Sequence, residues 1–374
     1  MQVNLINISF SINVNILGNA IHTLTTFILS LFLVLCLFKT GHMMLKLSGK
    51  RINELKHNFD GKKIGVIGDM MLDGYFWGDV KRVSPEAPVP VLEVEEEFFR
   101  FGGAANVALN ISTLGSIPFP IGVIGYDNSG SVFKALLKEF NINDNGIVTD
   151  DSRPTTTKTR VIAGSQHVVR IDKECKDYLN VNIQNQLLVY FESIVATLDA
   201  IILQDYNKGV FSEELIKKVI DIANEKNVLI TVDPKFDNFF AYKNVTVFKP
   251  NRKAAEEKFG IKIISSNDVS YAGSKLLEKL EAKYLLLTLG EEGIAVFEKG
   301  KEEKRMPTKA RNVADVSGAG DTVISTLTLS LAAGANILEA TYLANYAGGL
   351  VCEEVGIVPI DKEKLFSTIS KENK

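Results

Sequence analysis

Cysteine is scarce in this chain, which has three cysteines in 374 residues, at positions 36, 175 and 352. Because they are odd in number, far apart and without CxxC or CxxH spacing, they argue against a disulfide framework and a zinc site, and they indicate a reducing compartment. The four histidines are equally scattered. Neither sign of charge is in excess, since the formal net charge is −3 and no basic stripe occurs. We therefore expect a small-molecule partner and no nucleic acid.

Charged residues are missing from the N-terminus: no Asp, Glu, Lys or Arg precedes Lys39. A membrane helix from about residue 20 to 38 is compatible with this run, and the following basic residues would keep the rest of the chain cytoplasmic. A signal peptide is disfavoured, because a basic n-region and a small-residue cleavage site are missing. We favour a non-functional upstream extension, with the working protein starting near Met43 or Met44, because residues 1–30 are rich in Asn, Ser and Thr. The predicted division is an extension, 1–42, and one cytoplasmic domain, 43–374.

From Lys63 onward, short β-branched runs alternate with segments of helical period, which predicts an α/β fold with a mostly parallel central sheet and helices on both faces. The strand candidates are residues 64–68, 200–203, 228–232, 245–248 and 284–288, and helix candidates include 213–224 and 267–280. Ligands of such sheets bind at the carboxyl ends of the strands. We therefore expect the segments that follow these strands to meet at one rim; they are residues 68–69, 205, 233–235 and 288–290.

Two segments depart from this alternation. Residues 75–101 contain Pro85, Pro88 and Pro90, which favours a sheet edge or flap, with Val89, Val91 and Val94 packing inward. Residues 155–172 alternate as a hairpin around Gly164. Together they predict a small β lid over the site.

A small-residue turn directly precedes a late apolar helix, at residues 315–321 (DVSGAGD). The N–H groups of Gly318, Ala319 and Gly320 would point unpaired into the space before the helix, where the macrodipole favours an anion. Asp321 would then reach a substrate hydroxyl beside that anion. Such a cluster is often only a cap and turn, and it matches neither the GxxxxGK[ST] loop nor the dinucleotide fingerprint. The chemistry that the turn suggests is phosphoryl transfer to an alcohol.

This turn and an earlier one, residues 102–108 (GGAANVA), resemble the two signatures of the ribokinase-like (PfkB-type) sugar kinases. The resemblance covers about residues 62 to 365 and includes 233–235 (DPK), 249–251 (KPN) and the TxGxxG stretch 288–293. It implies a ribokinase-like fold, ATP as phosphoryl donor, Mg²⁺ and a homodimer, for which the exposed lid strands offer edges.

Three further segments narrow the resemblance to the D-glycero-β-D-manno-heptose 7-phosphate kinases: residues 83–90 (VSPEAPVP), 157–160 (TKTR) with 166–172, and 306–308 (MPT). Such kinases phosphorylate the anomeric hydroxyl to give the 1,7-bisphosphate used for ADP-heptose and the lipopolysaccharide core. Many relatives carry a nucleotidyltransferase domain after the kinase. Because no HxGH motif follows here, a kinase-only form is expected.

The predicted site follows from this resemblance and from the physical argument above. Asp321 is the expected base, and Gly318, Ala319 and Gly320 form the anion hole. The expected sugar contacts are Asp69, Asp73, Gly102, Gly103 and Asn106. The sugar's own phosphate needs cations at the opposite end of the cleft, for which the candidates are Lys158, Arg160 and Arg170, with Lys81 or Arg82 behind them. The expected nucleotide contacts are Lys235, Asn251, Thr288, Gly290, Gly293 and Asn345.

The chain departs from the family pattern at the Asn-x-x-Glu motif that helps to organise magnesium. Position 254, where the family has Glu, is Ala, and neither Glu256 nor Glu257 lies on the same helix face. The metal ligands are therefore left unassigned. Two alternatives stay open, namely another ribokinase-like kinase, acting on a hexose phosphate, a ketose or a nucleoside, and a catalytically silent sugar- or nucleotide-binding module.

Overall fold

Buried strands with β-branched and leucine side chains form the central sheet, in the order β13-β12-β11-β10-β9-β8-β1-β4-β5. The strands are β1 Lys63–Gly68, β4 Ile117–Gly125, β5 Ile147–Asp150, β8 Ala200–Gln204, β9 Leu229–Asp233, β10 Val247–Phe248, β11 Tyr284–Thr288, β12 Ile294–Glu298 and β13 Lys304–Met306. All neighbours are parallel except β12, which is antiparallel to both β11 and β13. The sequence prediction of a mostly parallel sheet is confirmed.

Helices connect these strands, and polar caps set where several of them begin. They are α1 Gly49–Asn58, α2 Gly103–Thr113, α3 Asn128–Glu139, α4 Val181–Ile194, α5 Glu213–Glu225, α6 Arg252–Phe259, α7 Ser266–Leu280, α8 Ala319–Ala332, α9 Ile337–Cys352 and α10 Lys362–Glu372. Helices α7 and α9 each begin with a capping box. In α7 the Ser265 side chain accepts the Asp268 backbone N–H, and the Asp268 side chain accepts the Ser265 backbone N–H. Asn336 and Glu339 form the same pair of bonds in α9.

Helices cover both faces of the sheet, as the alternation of side chains along β9 shows. The Thr231 hydroxyl lies 2.6 Å from the Thr328 hydroxyl on α8. Its neighbours Ile230 and Val232 belong to the hydrophobic core that α4, α5 and α7 share. Because successive strand residues point to opposite faces, α8 and the α4–α5–α7 group lie on opposite sides.

A second sheet, here called the lid, consists of β3-β2-β6-β7. Its strands are β2 Met70–Val83, β3 Pro90–Gly102, β6 Thr156–Ala163 and β7 Gln166–Lys173. The hairpin of β6 and β7 turns at Gly164, whose φ is +58°. Both predicted lid segments therefore belong to one sheet, and β3 continues directly into α2.

The outer surface of the lid differs from the sequence prediction. Val89 and Val94 were expected to pack inward, but they are 51% and 52% exposed. The lid is a single layer, and among the described residues no second layer covers the side chains on its outer face.

The computed structural model describes residues 45–164, 166–310 and 313–373. The predicted membrane segment, residues 20–38, and the predicted boundary at residue 42 lie outside the described residues. Within the described part, no helix combines the length and the apolar character that a bilayer crossing requires.

Candidate active site

Asp321 lies in the first turn of α8 and is 2% exposed. Three side chains donate hydrogen bonds to its carboxylate. Asn106 Nδ2 donates to Oδ2 at 2.9 Å, whereas Gln204 Nε2 and the Tyr206 hydroxyl donate to Oδ1 at 3.0 and 2.7 Å. Donors from α2 and from the end of β8 thus hold the carboxylate from two sides.

Burial raises the pKa of Asp321 to about 6, although the hydrogen bonds from Asn106 and Tyr206 oppose the rise. The nearby Asp233 carboxylate raises it further. A carboxylate with a pKa near 6 is largely ionised at neutral pH and is a stronger base than an ordinary aspartate. Asp321 is therefore suited to accept a proton from a hydroxyl group.

Gly318 precedes α8 in the left-handed conformation, with φ +78°. A Cβ at this position would lie 3.1 Å from Asn106 Nδ2, so a side chain would press on a donor to Asp321. One prediction about this turn is wrong: the Ala319 N–H is not free, because it donates to the Val316 carbonyl at 3.3 Å. Within the described residues the N–H groups of Gly318 and Gly320 make no hydrogen bond, and these two remain open to an anion.

A buried ion pair lies beside this turn. Lys249 Nζ is 3.1 Å from Asp233 Oδ2. A Cβ placed on Gly320 would be 3.8 Å from that carboxylate oxygen and 3.9 Å from the ammonium. The open amides and a lysine thus converge at the start of α8, as a phosphoryl group requires.

Tyr206 stands between the two halves of the site. Its ring lies 4.5 Å from Lys235 Nζ, on the side of the β9 end, and 5.4 Å from Lys158 Nζ, which belongs to the lid. Its backbone N–H donates to Asp69 at 2.7 Å.

Gly102 and Gly103, where β3 passes into α2, are glycines for steric reasons. A Cβ on Gly102 would collide with Asp73 Oδ2, and one on Gly103 would lie 2.6 Å from the Asp69 carbonyl oxygen. Gly103 also has φ +55°. The predicted sugar-contacting residues Asp73, Gly102 and Asn106 are therefore adjacent, and Asn106 joins them to Asp321.

Asp69 has a different environment from the other predicted sugar contacts. Its carboxylate accepts the backbone N–H groups of Tyr206, Lys208 and Val210 at 2.7, 3.2 and 3.4 Å. Burial raises its pKa to about 7, and the neighbouring Asp205 carboxylate adds to the rise. These contacts support a role in holding the 206–210 loop and do not support the predicted contact with sugar.

The inner face of the lid carries the predicted cations. Asp73 is paired in register with Lys158, and Arg160 with Arg170, so these four side chains share one face. Arg160 forms an ion pair with Asp73. Burial raises the pKa of Asp73 and lowers that of Lys158.

The other predicted cations are exposed side chains. Arg170 is exposed and bound to Asp172 at 2.8 Å. Lys81 is exposed and pairs with Glu93 at 3.0 Å, and Arg82 is exposed on the same strand. The structure thus brings Lys158 and Arg160 to the site and leaves Lys81 and Arg82 on the outer part of the lid.

The predicted nucleotide residues form two groups. Asn251 caps α6, where its side chain accepts the Ala254 N–H at 2.8 Å, and it pairs with Thr288 in an isolated parallel bridge. Gly293 and Asn345 meet at the 306–308 loop: Asn345 Nδ2 donates to the Pro307 carbonyl at 2.7 Å. A Cβ on Gly293, whose φ is +90°, would collide with the carbonyl of residue 306.

Gly290 also has a positive φ, +66°, in the short turn before β12. A Cβ there would meet open space, so the positive φ, and no steric contact, is the reason for a glycine at this position. Lys235 and Asn251 follow the carboxyl ends of β9 and β10, and Gly290 follows that of β11.

Neither alternative acidic residue replaces the missing glutamate at position 254. Glu256 accepts the Ile263 N–H at 2.8 Å, and Glu257 lies near Lys253 at 3.8 Å. Among the described residues no three His, Cys, Asp or Glu side chains cluster as metal ligands. Asp233 is one carboxylate beside the anion turn that could bind Mg²⁺, and the nucleotide phosphates would supply further ligands.

A family comparison agrees with this geometry, since residues 62–363 match the model of the pfkB family carbohydrate kinases. The chain belongs to that family. It is accordingly a phosphotransferase that acts on a sugar hydroxyl group.

Two curated relatives of this kinase are named bifunctional protein HldE. The one from Helicobacter pylori strain HPAG1 is 45% identical over 295 residues, which is 79% of this chain and 64% of the relative. The one from Desulfatibacillum aliphaticivorans is 40% identical over 307 residues, 82% of this chain and 63% of the relative. The kinase thus spans somewhat less than two thirds of the length of these relatives.

Solved structures with the same fold are more distant in sequence. Arabidopsis thaliana ribokinase, complexed with ribose and ATP, superposes with a TM-score of 0.66 at 17% identity, covering 83% of this kinase and 99% of the ribokinase. Phosphofructokinase-2 from Escherichia coli, in its tetrameric inhibited form, gives 0.66 at 20% identity with the same coverage. The ribokinase-like fold is therefore confirmed.

The sequence reasoning missed Gln204 and Tyr206 of this kinase's site, and it named Lys249 only as part of the 249–251 stretch, without a role. Gln204 ends β8, Tyr206 follows β8 by two positions, and Lys249 directly follows β10 at the carboxyl rim. The same rule that selected Asp205 and Asp233 could have selected them. Their contact with Asp321 and Asp233 depends on the packing of α8 against β8 and β9, which the sequence does not show.

Proposed function

We propose that this carbohydrate kinase transfers the γ-phosphoryl group of ATP to the anomeric hydroxyl of D-glycero-β-D-manno-heptose 7-phosphate, giving the 1,7-bisphosphate for ADP-heptose synthesis. The HldE relatives and residues 83–90 (VSPEAPVP) support this choice of sugar. The observation that carries the proposal is the position of Asp321, a carboxylate whose pKa is about 6, beside two open amides and the glycine turn of α2.

The proposed reaction uses Asp321 as general base. Its carboxylate takes the hydroxyl proton while the hydroxyl oxygen forms a bond to the γ-phosphorus of ATP, and the bond from that phosphorus to the β,γ-bridging oxygen breaks to release ADP. The N–H groups of Gly318 and Gly320 and the Lys249 ammonium stabilise the charge on the transferred group. The adjacent Asp73 and Asn106 bind the sugar hydroxyls.

The environment of Lys158 supports the proposal that the substrate is a sugar that already carries a phosphate. Within the described residues its ammonium has no ion-pair partner, although burial lowers its pKa. Arg160 beside it has only Asp73 as carboxylate partner in the described part of the chain. A phosphate at the far end of the sugar would neutralise both cations, and Arg160 can bind it with two donors.

ATP is proposed to bind along the carboxyl ends of β9 and β11, where Lys235, Asn251, Thr288, Gly290 and Gly293 border the rim. Asn345 would act near the adenine by holding the 306–308 loop. Mg²⁺, when bound, supplies charge neutralisation at the β- and γ-phosphates. Asp233 is the side chain that would accept it.

We further propose a cytoplasmic homodimer that pairs through lid strands. The exposed apolar side chains on the lid support this, with Val94, Val169 and Ile171 each at least half exposed. The Ile171→Lys variant should then elute as a monomer where the unmodified protein elutes as a dimer. The division at residue 42 is also a proposal, and membrane partitioning of the full chain compared with protein starting at Met43 tests it.

A sugar panel tests the substrate. ADP release is measured with ATP and heptose 7-phosphate, a hexose phosphate, a ketose and a nucleoside, with the Asp321→Asn variant as the inactive control. Preferred turnover of heptose 7-phosphate supports the proposal. Preference for another sugar would assign a different kinase of the family, and turnover of none of these sugars would remove heptose 7-phosphate as the substrate.

A further inference from the structure

We propose that Tyr206 is a positioning residue that sets the basicity and orientation of Asp321. This inference rests on the proposed role of Asp321 as general base and adds a residue that the family signatures do not contain. Tyr206 follows β8 by two positions, 115 residues before Asp321 in the chain, and its hydroxyl donates to Asp321 Oδ1 at 2.7 Å.

The hydroxyl of Tyr206 can act only as a donor towards this carboxylate. Burial raises the pKa of Tyr206 well above its ordinary value, and the Asp321 carboxylate raises it further. The phenol is therefore protonated throughout the range in which Asp321 titrates. A donated hydrogen bond favours the ionised carboxylate, so Tyr206 lowers the pKa of Asp321 against the effect of burial.

The ring of Tyr206 is held in place from three directions. Its backbone N–H is bound by Asp69, and the ammonium groups of Lys158 and Lys235 lie over the ring at 5.4 and 4.5 Å. A ring fixed in this way directs its hydroxyl at one oxygen of Asp321. Asn106 binds the other oxygen, so the two donors together fix the plane of the carboxylate.

Few side chains face Asp321 from the helix and strands packed around it, so their effects can be tested one at a time. Asn106 approaches from α2, Gln204 and Tyr206 from the end of β8, and Asp233 with Lys235 from the end of β9. Of these, only Tyr206 can lose its donor without a change in shape, through replacement by phenylalanine. The Tyr206→Phe variant keeps the ring and its cation contacts.

The test compares Tyr206→Phe with the unmodified protein. At saturating ATP and sugar, the acidic limb of the kcat profile should move upward by roughly one pH unit, and kcat near pH 6 should fall by about fivefold. Because both proteins are assayed with the same sugar and ATP, ionisation of the substrates affects both profiles equally. An acidic limb and kcat identical to those of the unmodified protein would overturn the proposal.

Tyr242→Phe is the matched control. Tyr242 is fully buried, whereas Tyr206 is partly exposed, and the Tyr242 hydroxyl likewise donates at 2.7 Å to a buried aspartate, Asp205, which has no hydrogen bond to Asp321. This variant should keep the acidic limb in place. A shift as large as that of Tyr206→Phe would attribute the effect to general loosening of the core and would also overturn the proposal.

A measurement without sugar separates this inference from the proposed function. Protein labelled with ¹³C at the aspartate carboxyl carbons gives a titrating signal for Asp321, which is identified by its absence in Asp321→Asn. The midpoint should rise in Tyr206→Phe and not in Tyr242→Phe. A raised midpoint supports the role of Tyr206 even if another sugar is the substrate, whereas an unchanged midpoint refutes it. Full turnover by Asp321→Asn would instead remove the base assignment itself.

Discussion

The Asn106 side chain and the Asp321 carboxylate are joined by a 2.9 Å hydrogen bond across 215 residues of sequence. Asn106 belongs to the first glycine turn, at the start of α2, and Asp321 to the second, at the start of α8. The two signatures that resemble sugar kinases are therefore parts of one site. A base that belongs to the second turn can act on a hydroxyl group held by the first.

The Asp321→Asn variant is expected to lower kcat by roughly 10² to 10⁴, because general base catalysis contributes that much and an amide cannot accept the proton. In the unmodified protein kcat should fall as the pH drops through about 6, since burial raises the pKa of Asp321 to that value and only the ionised form is a base. ADP release as a function of pH measures both effects. Nucleotide binding, followed by thermal shift, should persist in the variant.

Gly318→Ala should impair activity more than stability. Its φ of +78° is unfavourable for alanine at a cost of about 1 to 2 kcal/mol, and the new Cβ would also press on Asn106 Nδ2. Gly300→Ala is the matched control, because Gly300 has φ +75° and open space around it. Both variants should lose similar amounts of unfolding free energy, whereas kcat should drop only in Gly318→Ala. Equal activity in the two variants would contradict the contact with Asn106.

The fold was predictable because its signals are local. Buried runs of β-branched or leucine residues, such as 64–68 and 284–288, are recognised from neighbouring residues alone. The rim was predictable for the same reason, because parallel strands bring their carboxyl ends together.

The contacts within the site depend on tertiary packing and were less predictable. The Ala319 amide was expected to be free, but the tight turn at Val316 captures it. Asp69 looked like a sugar ligand, yet it binds the backbone of a loop more than a hundred residues later. Such hydrogen bonds depend on the pairing of β1 with β8, which the periodicity of the sequence does not indicate.

Arg160→Ala should raise KM for a phosphorylated sugar by roughly tenfold to a hundredfold, because a charge-assisted hydrogen bond contributes about 1.5 to 3 kcal/mol. KM for the corresponding sugar without phosphate should change much less. Lys81→Ala removes an exposed cation that pairs with Glu93 on the same lid, and it should leave both constants unchanged. Equal loss with both sugars would show that Arg160 acts only through Asp73.

The stability of the unliganded protein should fall as the pH rises from 5 to 8. Burial raises the pKa of Asp69 from 3.8 to about 7 in the folded state, so the folded protein holds a proton that the unfolded chain releases. The stabilisation is complete below the unfolded pKa and is lost as the pH passes through about 7, with Asp321 contributing in the same direction up to about 6.

Urea unfolding at pH 5 and pH 8 measures this effect, and two variants attribute it. Asp69→Asn should be destabilised at both pH values, because an amide nitrogen would face the N–H groups of the 206–210 loop, and its unfolding free energy should depend less on pH. Asp60→Asn alters an exposed carboxylate that pairs with Lys362 and should keep the pH dependence of the unmodified protein. A slope in Asp69→Asn equal to that in Asp60→Asn would show that Asp69 is ionised in the folded state throughout this range.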